Sequence, residues 1–359
     1  MLISATPCPP RSGRQASGTV EQVNRLPRRA LLAALAAPAL ARAQPAGGPS
    51  QPSAPLGAAA IGPRWPQRPL RFIVPFQAGG PVEIPARFIA EHLTQKLGQP
   101  CIVEPRPGAG GALGIQYVVQ QNDPHTMLFT TSAVAVLPAM MKAPGFDPLT
   151  DLTPISLVTD APMVLLVKAD SPLRSLAELL AQAKAQPGRF SYGSSGAGST
   201  THLAGALLGV RAGVELLHIP YRGAAQAVNA LYAGDTDLMV TGTGEATPHI
   251  REGRLRALAV TSAQRTPVLP DIPAAAELVP GYAITIWYGM FGPRSMDPGI
   301  VQRIAAEIAP MRHGSTLAAR ASAAAQDVLL DGPAPLAERL AREVPLWKDV
   351  ARQAGIQAE

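Results

Sequence analysis

Two stretches constrain this chain more than any others. Residues 70–84 read LRFIVPFQAGGPVEI and residues 189–205 read RFSYGSSGAGSTTHLAG. In each, a short apolar run stops at a turn of small residues and a helical pattern starts at once. After the first turn, Ile84, Phe88, Ile89, Leu93 and Leu97 recur at helical spacing, and Gly98 suits the helix end. The same logic runs through the rest. Strands are expected at 70–76, 101–104, 126–131, 155–158, 163–168, 189–193, 215–220, 237–241 and 255–262. Helices are expected at 175–186, 202–210 and 224–233, with an extended piece at 283–291. The tail from Gly299 is mostly helical, with a short apolar piece at 328–330. Strands alternating with helices predict an α/β fold of mostly parallel sheets flanked by helices. The restart at residue 175 predicts two lobes. Each offers a glycine-rich loop at the carboxyl end of a strand, where open α/β sheets bind their ligands.

The first 63 residues read differently. The chain has 359 residues and a net charge of +6, yet Arg11, Arg14, Arg25, Arg28, Arg29 and Arg42, against Glu21, hold five of those charges. The remainder is nearly neutral and shows no basic face, so a nucleic-acid partner is not expected. Arg28-Arg29, then the apolar run 30–41, then Ala41-Arg42-Ala43 follow the layout of an export signal with a small-residue cleavage site. The paired arginines fit either the general secretory or the twin-arginine route. Residues 1–24 lengthen the segment beyond what such a signal needs. Residues 44–63 are rich in Pro, Gly, Ala and Ser and are expected to form a flexible linker. Export to the periplasm follows as the expectation. Beyond the signal only Cys101 remains, which excludes an internal disulfide and a cysteine-bound zinc.

Both glycine-rich loops open helices. The first N–H groups of a helix have no intrahelical partner, and the helix dipole adds partial positive charge there. Such a place suits an anion, and glycine lets its oxygens approach the backbone. Residues 194–201 add the hydroxyls of Ser194, Ser195, Ser199, Thr200 and Thr201. Ser or Thr at such a turn also serves simply as a helix cap. Catalytic patterns are missing. There is no phosphate-binding G-x-x-x-x-G-K-[ST]. GAGGAL at 108–113 lacks the third glycine of a dinucleotide fingerprint, and GSSGA at 193–197 is no nucleophile elbow. None of the six histidines pairs for zinc. No cofactor and no metal are expected. His202, beside the second loop, is the one candidate general base, against the plainer role of a helix-start histidine bonded to backbone.

Taken in order, the motifs resemble the substrate-binding proteins of tripartite tricarboxylate transporters, the Bordetella uptake gene or TctC-like family. The resemblance is carried by WPQRPLRFIVPF at 65–76, Ala78-Gly79-Gly80, Ala86-Arg87, VEPRPGAGG at 103–111, YGSSGAGS at 192–199, HLAG at 202–205 and HIPYRG at 218–223. PHI at 248–250, GRLRALAVTS at 253–262 and PDIP at 270–273 continue it. It implies a type II-like periplasmic binding protein of two lobes joined by two crossovers, here 64–165 with 290–359 and 166–289. It further implies a monomer that is not an enzyme, that closes on a small carboxylate and that delivers it to a membrane permease. Carried over, the carboxylate would meet Gln77, Ala78, Gly79 and Gly80 from one loop. Ser194, Ser195, Gly196, Gly198, Ser199, Thr200 and His202 would meet it from the other. Thr131, Ser132, Tyr221 and Gly223 would complete the cleft.

Several positions depart from the family pattern. Glu83 stands where an Asp is usual, one methylene longer, able either to reach the ligand or to fold away. Pro85 follows, and in a helix starting at Pro81 it would remove one bond and bend the first turn. Thr241-Gly242-Thr243 replace a common Asn, with Thr241 at the cleft. Two alternatives stand beside the transport reading. One is a ligand sensor on the same fold. The other is a secreted hydrolase using Ser195 or Ser199 with His202, which lacks an elbow and an acid partner.

Overall fold

The computed structural model describes residues 65–358; the export-signal and linker expectations lie outside them. Ten strands form one continuous sheet whose main path is β2-β1-β3-β9-β4-β7-β5-β6. These strands are β1 (Leu70–Val74), β2 (Cys101–Pro105), β3 (Thr126–Thr131), β4 (Leu152–Lys168), β5 (Ser191–Ser194), β6 (Leu217–Pro220), β7 (Leu238–Gly242) and β9 (Thr285–Pro293). The strands β8 (Leu255–Val260) and β10 (Asp327–Val328) also pair with β4. Each half has a parallel trio, β2-β1-β3 and β7-β5-β6. The long strands β4 and β9 run antiparallel to their neighbours because one leaves the first half and the other returns to it.

The expectation of two strands at 155–158 and 163–168 is corrected: β4 is one strand of 17 residues. The two expected strands flank Asp160-Ala161-Pro162. Pro162 lies where β4 exchanges partners, from β9 up to Pro162 to β7 from Met163. A missing N–H is tolerated where one ladder ends.

Period two sorts the side chains between two faces. On β1, Leu70, Phe72 and Val74 enter one core cluster and Ile73 another; on β3, Met127 and Phe129 divide from Leu128 in the same way. On β4, Val164 and Leu166 face a third cluster, while Met163, Leu165 and Val167 join the one containing Ile73. These strands are covered on both faces, so they read as unbroken apolar runs rather than alternating ones.

Helix α1 (Glu83–Leu97) buries Ala86, Ile89, Ala90, Leu93 and Leu97 and ends at Gly98, whose φ of 69° makes it a left-handed cap. The helices α2 (Ala112–Gln121), α3 (Ala133–Met140), α4 (Leu176–Ala185), α5 (Thr200–Ala212), α6 (Ala224–Ala233), α7 (Thr243–Arg251), α8 (Pro298–Ile308) and α9 (Thr316–Ala323) follow strands or each other. The last helix, α10 (Pro333–Gln353), packs on α3, β4 and α5, and so touches elements of both halves. Its Arg339 reaches Asp160 of β4 at 2.9 Å and Glu343 at 2.8 Å, and Glu343 accepts from the indole N–H of Trp287 on β9 at 2.9 Å. Asp160 and Trp287 are register partners, so this network sits where the two long strands cross between halves.

Candidate functional site

The carboxyl ends of β3, β5 and β7 converge on a cavity of about 1070 Å³. Phe76, Pro81, Val82, Ala109, Gly110, Thr131, Leu137 and Met140 line it from the first half. Residues 195–202, Ala224 and residues 241–245 line it from the second, with Ile286 and Tyr288 of β9 between. Among the described residues that line it there is no lysine or arginine; Glu245, His202 and Tyr288 are its ionisable groups.

The 194–201 loop is held by its own hydroxyls. Ser199 caps α5: its Oγ accepts from the His202 N–H at 3.2 Å and donates to the Gly196 carbonyl at 2.7 Å. The Thr201 hydroxyl accepts from the Ser195 N–H at 3.0 Å. The Gly196 N–H bonds the Ser194 hydroxyl at 3.1 Å, and the Gly198 N–H bonds His202 Nδ1 at 3.1 Å. Gly196 (φ 140°) and Gly198 (φ 73°) hold conformations that side chains oppose, so this path needs glycine. Three donors of this loop have no partner among the described residues, the N–H groups of Ala197, Thr200 and Thr201. All three residues line the cavity, at the positive end of α5. Thus the predicted hydroxyls mainly shape the loop, and backbone donors remain open at the cavity.

His202 is buried and lines the cavity. Because its Nδ1 accepts a backbone N–H, the neutral ring carries its proton on Nε2. Its ring stacks on His218 at 3.7 Å between centroids, and His218 Nε2 bonds the Ser194 hydroxyl at 2.7 Å. Burial pushes His202 down to about 4, and burial with the neighbouring ring does the same to His218. Among the described residues no bond joins the His202 ring to the Ser195 or Ser199 side chain, and no carboxylate orients that ring. The Ser194–His218 pair lies under the loop, with Ser194 fully buried and outside the cavity lining. The hydrolase arrangement is therefore not assembled.

The first loop behaves differently from the second. Gln77, Ala78 and Gly79 are exposed and Gly80 half-buried; the cavity wall takes the flanking Phe76, Pro81 and Val82 instead. Glu83 is buried and folds back: its carboxylate accepts from the Gly79 N–H at 2.6 Å and pairs with Arg87. The expected cost of Pro85 is also corrected. The helix starts at Glu83, not Pro81, so Pro85 is its third residue, whose N–H would have no helical partner in any case.

Thr131 lines the cavity and its hydroxyl accepts from the Ala133 N–H at 3.1 Å; Ser132 is buried and bonds Thr200 across the cleft at 3.1 Å. Tyr221 and Gly223 lie behind the second loop, their N–H groups bonding Ser194 O at 3.1 Å and Ser195 O at 3.2 Å. They support the loop, while Ala224 reaches the cavity. The Thr241 hydroxyl lines the cavity and is spent on Glu245. Sequence reasoning missed Glu245, Phe76, Leu137, Met140, Gln326 and Ile356. Glu245 had a signal, an acid in the first turn of a helix that follows a strand. Gln326 and Ile356 had none, because no local pattern carries the end of the chain back to the cleft. Among the described residues, no group of three or more His, Cys, Asp or Glu could hold a metal ion.

A two-half α/β molecule with its cavity at the strand ends defines a solute-binding protein, and comparison with known proteins agrees. The model of the tripartite tricarboxylate transporter family receptors matches residues 85–324, and the chain belongs to this family. The protein BugT of Bordetella pertussis is 33% identical over 295 residues, covering 81% of this chain and 90% of BugT. The structure of the periplasmic binding protein BugD superposes with a TM-score of 0.67 at 33% identity, covering 82% of this chain and all of that one. A Rhodopseudomonas palustris protein solved with adipate gives 0.69 at 30% identity, with 82% and 100% coverage. The family is one of periplasmic receptors for small carboxylates rather than enzymes. Among the described residues no helix is long and apolar enough to cross a membrane.

Proposed function

We propose that this protein captures a small carboxylate in the periplasm and presents it to the membrane permease of a tripartite transporter. The observation that carries this reading is the set of unspent N–H groups of Ala197, Thr200 and Thr201, at the start of α5, on a cavity without a lysine or arginine. A carboxylate there would be held by backbone donors and helix dipole alone. The first loop would supply the opposing wall through Phe76, Pro81 and Val82, with Gln77 to Gly80 drawn in on closure. Residues 64–165 with 290–359 and residues 166–289 would move as two lobes about β4 and β9, a ligand selecting the closed form because only there do both loops reach it. The adipate-bound relative supports a carboxylate as the ligand class. The protein would act as a monomer, without nucleic acid, after export directed by residues 1–43.

The test is thermal unfolding of the purified protein against a panel of mono- and dicarboxylates. A ligand at a hundred times its Kd stabilises by about 2.7 kcal/mol, so a true ligand raises Tm progressively with concentration. A flat Tm across the whole panel, with protein shown by mass spectrometry to be free of bound acid, would sink the reading.

A further inference from the structure

Glu245 has no place in the carboxylate clamp, yet it lines the same cavity. It sits in the first turn of α7, where an acid usefully faces the helix dipole. That role leaves its carboxylate mostly unused. Among the described residues its carboxylate has one bond, from the Thr241 hydroxyl, and joins no ion pair, and it remains exposed to the cleft. An ionised carboxylate can accept several donors, so most of its acceptor capacity is open. Tyr288, also in the lining, feels the charge: burial raises its phenol, and Glu245 adds to that.

The arrangement is lopsided. The strands β5 and β7 are parallel neighbours, so α5 and α7 begin side by side on one edge of the sheet. One start offers N–H donors, the other a carboxylate, and Leu137, Met140 and Ile286 supply apolar wall. A dicarboxylate would bring two more negative charges against Glu245 with no cation in the lining to offset them. A ligand with one carboxylate and one ammonium group, joined by an apolar spacer, would satisfy both ends.

We propose that Glu245 is a specificity-determining residue that receives the protonated amine of an amino-acid ligand whose carboxylate lies at the start of α5. This rests on the carboxylate reading above, and the test separates the two. The full chain and Glu245→Gln, each checked for unchanged unfolding, are titrated calorimetrically with adipate, ω-aminohexanoate, hexanoate and hexylamine. Matched pairs of other chain lengths are run alongside, so that spacer length is not mistaken for chemistry. The expected result at the best-fitting length is an amino acid binding at least about tenfold tighter than the matched diacid, as for a well-placed charge pair. In Glu245→Gln that preference shrinks to within about threefold or reverses, while the monoacid changes little. A diacid that binds the unaltered protein as tightly as its matched amino acid, with Glu245→Gln indifferent, overturns the role of Glu245 and leaves the carboxylate reading intact. A plain amine that binds as well as the amino acid overturns the carboxylate reading and leaves Glu245. Binding of none of the series overturns both.

Discussion

Two histidines packed at the second loop are kept neutral by burial. His202 and His218 stack face to face at 3.7 Å, with an interplanar angle of 8°, an arrangement that a pair of imidazolium cations would oppose. Both folded values, about 4, lie below the ordinary 6.5. The unfolded chain therefore binds more protons than the folded one between those values. Their contribution to stability is whole above pH 6.5 and is lost as pH falls from 6.5 through 4. The Tm of the protein is expected to fall over that window. His218→Gln removes one of the two titrations, so its Tm should fall less steeply, read by calorimetry at matched ionic strength. Parallel curves for the two proteins would refute the assignment. Close packing sets another residue here. A Cβ on Gly205 of α5 would meet the Tyr192 ring at 2.1 Å, so this glycine serves packing rather than a turn.

Among the elements, α10 decides how the two halves are joined. Arg339 is 12% exposed and stands between Asp160 of β4 and its own neighbour Glu343, which also holds Trp287 of β9. Removing Arg339 leaves the Asp160 and Glu343 carboxylates without their cation in a largely enclosed site, at a cost of up to about 3–5 kcal/mol. Arg339→Met keeps the apolar bulk and is expected to lose that much in urea unfolding. A loss below about 1 kcal/mol, the range of a surface pair, would mean the network contributes little. The elements themselves were largely legible. Apolar runs and glycine stops gave nearly every strand and helix, because local period and turn chemistry report local structure. The exceptions were α3 and α7, which were not expected as helices, and β4, read as two strands around Pro162. Nothing local tells a proline in a turn from one at a change of strand partner.

For the whole molecule, the approach of the two halves is set at a few points. Ser132 bonds Thr200 across the cleft, and α7 begins against residues 324–325. Gly244 makes the second contact possible: a Cβ there would lie 2.5 Å from the Ala324 carbonyl oxygen. Gly244→Ala should hold the halves apart, lowering ligand affinity by about tenfold and reducing compaction on ligand addition in solution scattering. Unchanged affinity and compaction would show that this contact does not limit closure. The sequence by itself determined the α/β class, the two halves, the family and the loop at 194–201, since each is written in local periodicity or in contiguous motifs. It also pointed to an anion at a helix start, because orphan N–H groups follow from chain direction alone. Tertiary structure decided which groups face the cavity. It turned Glu83 inward onto its own loop, put Tyr221 and Gly223 behind the wall, and brought Glu245, Gln326 and Ile356 to the cavity. The physical reason is that exposure to a cleft depends on how distant elements pack, and no local pattern encodes that.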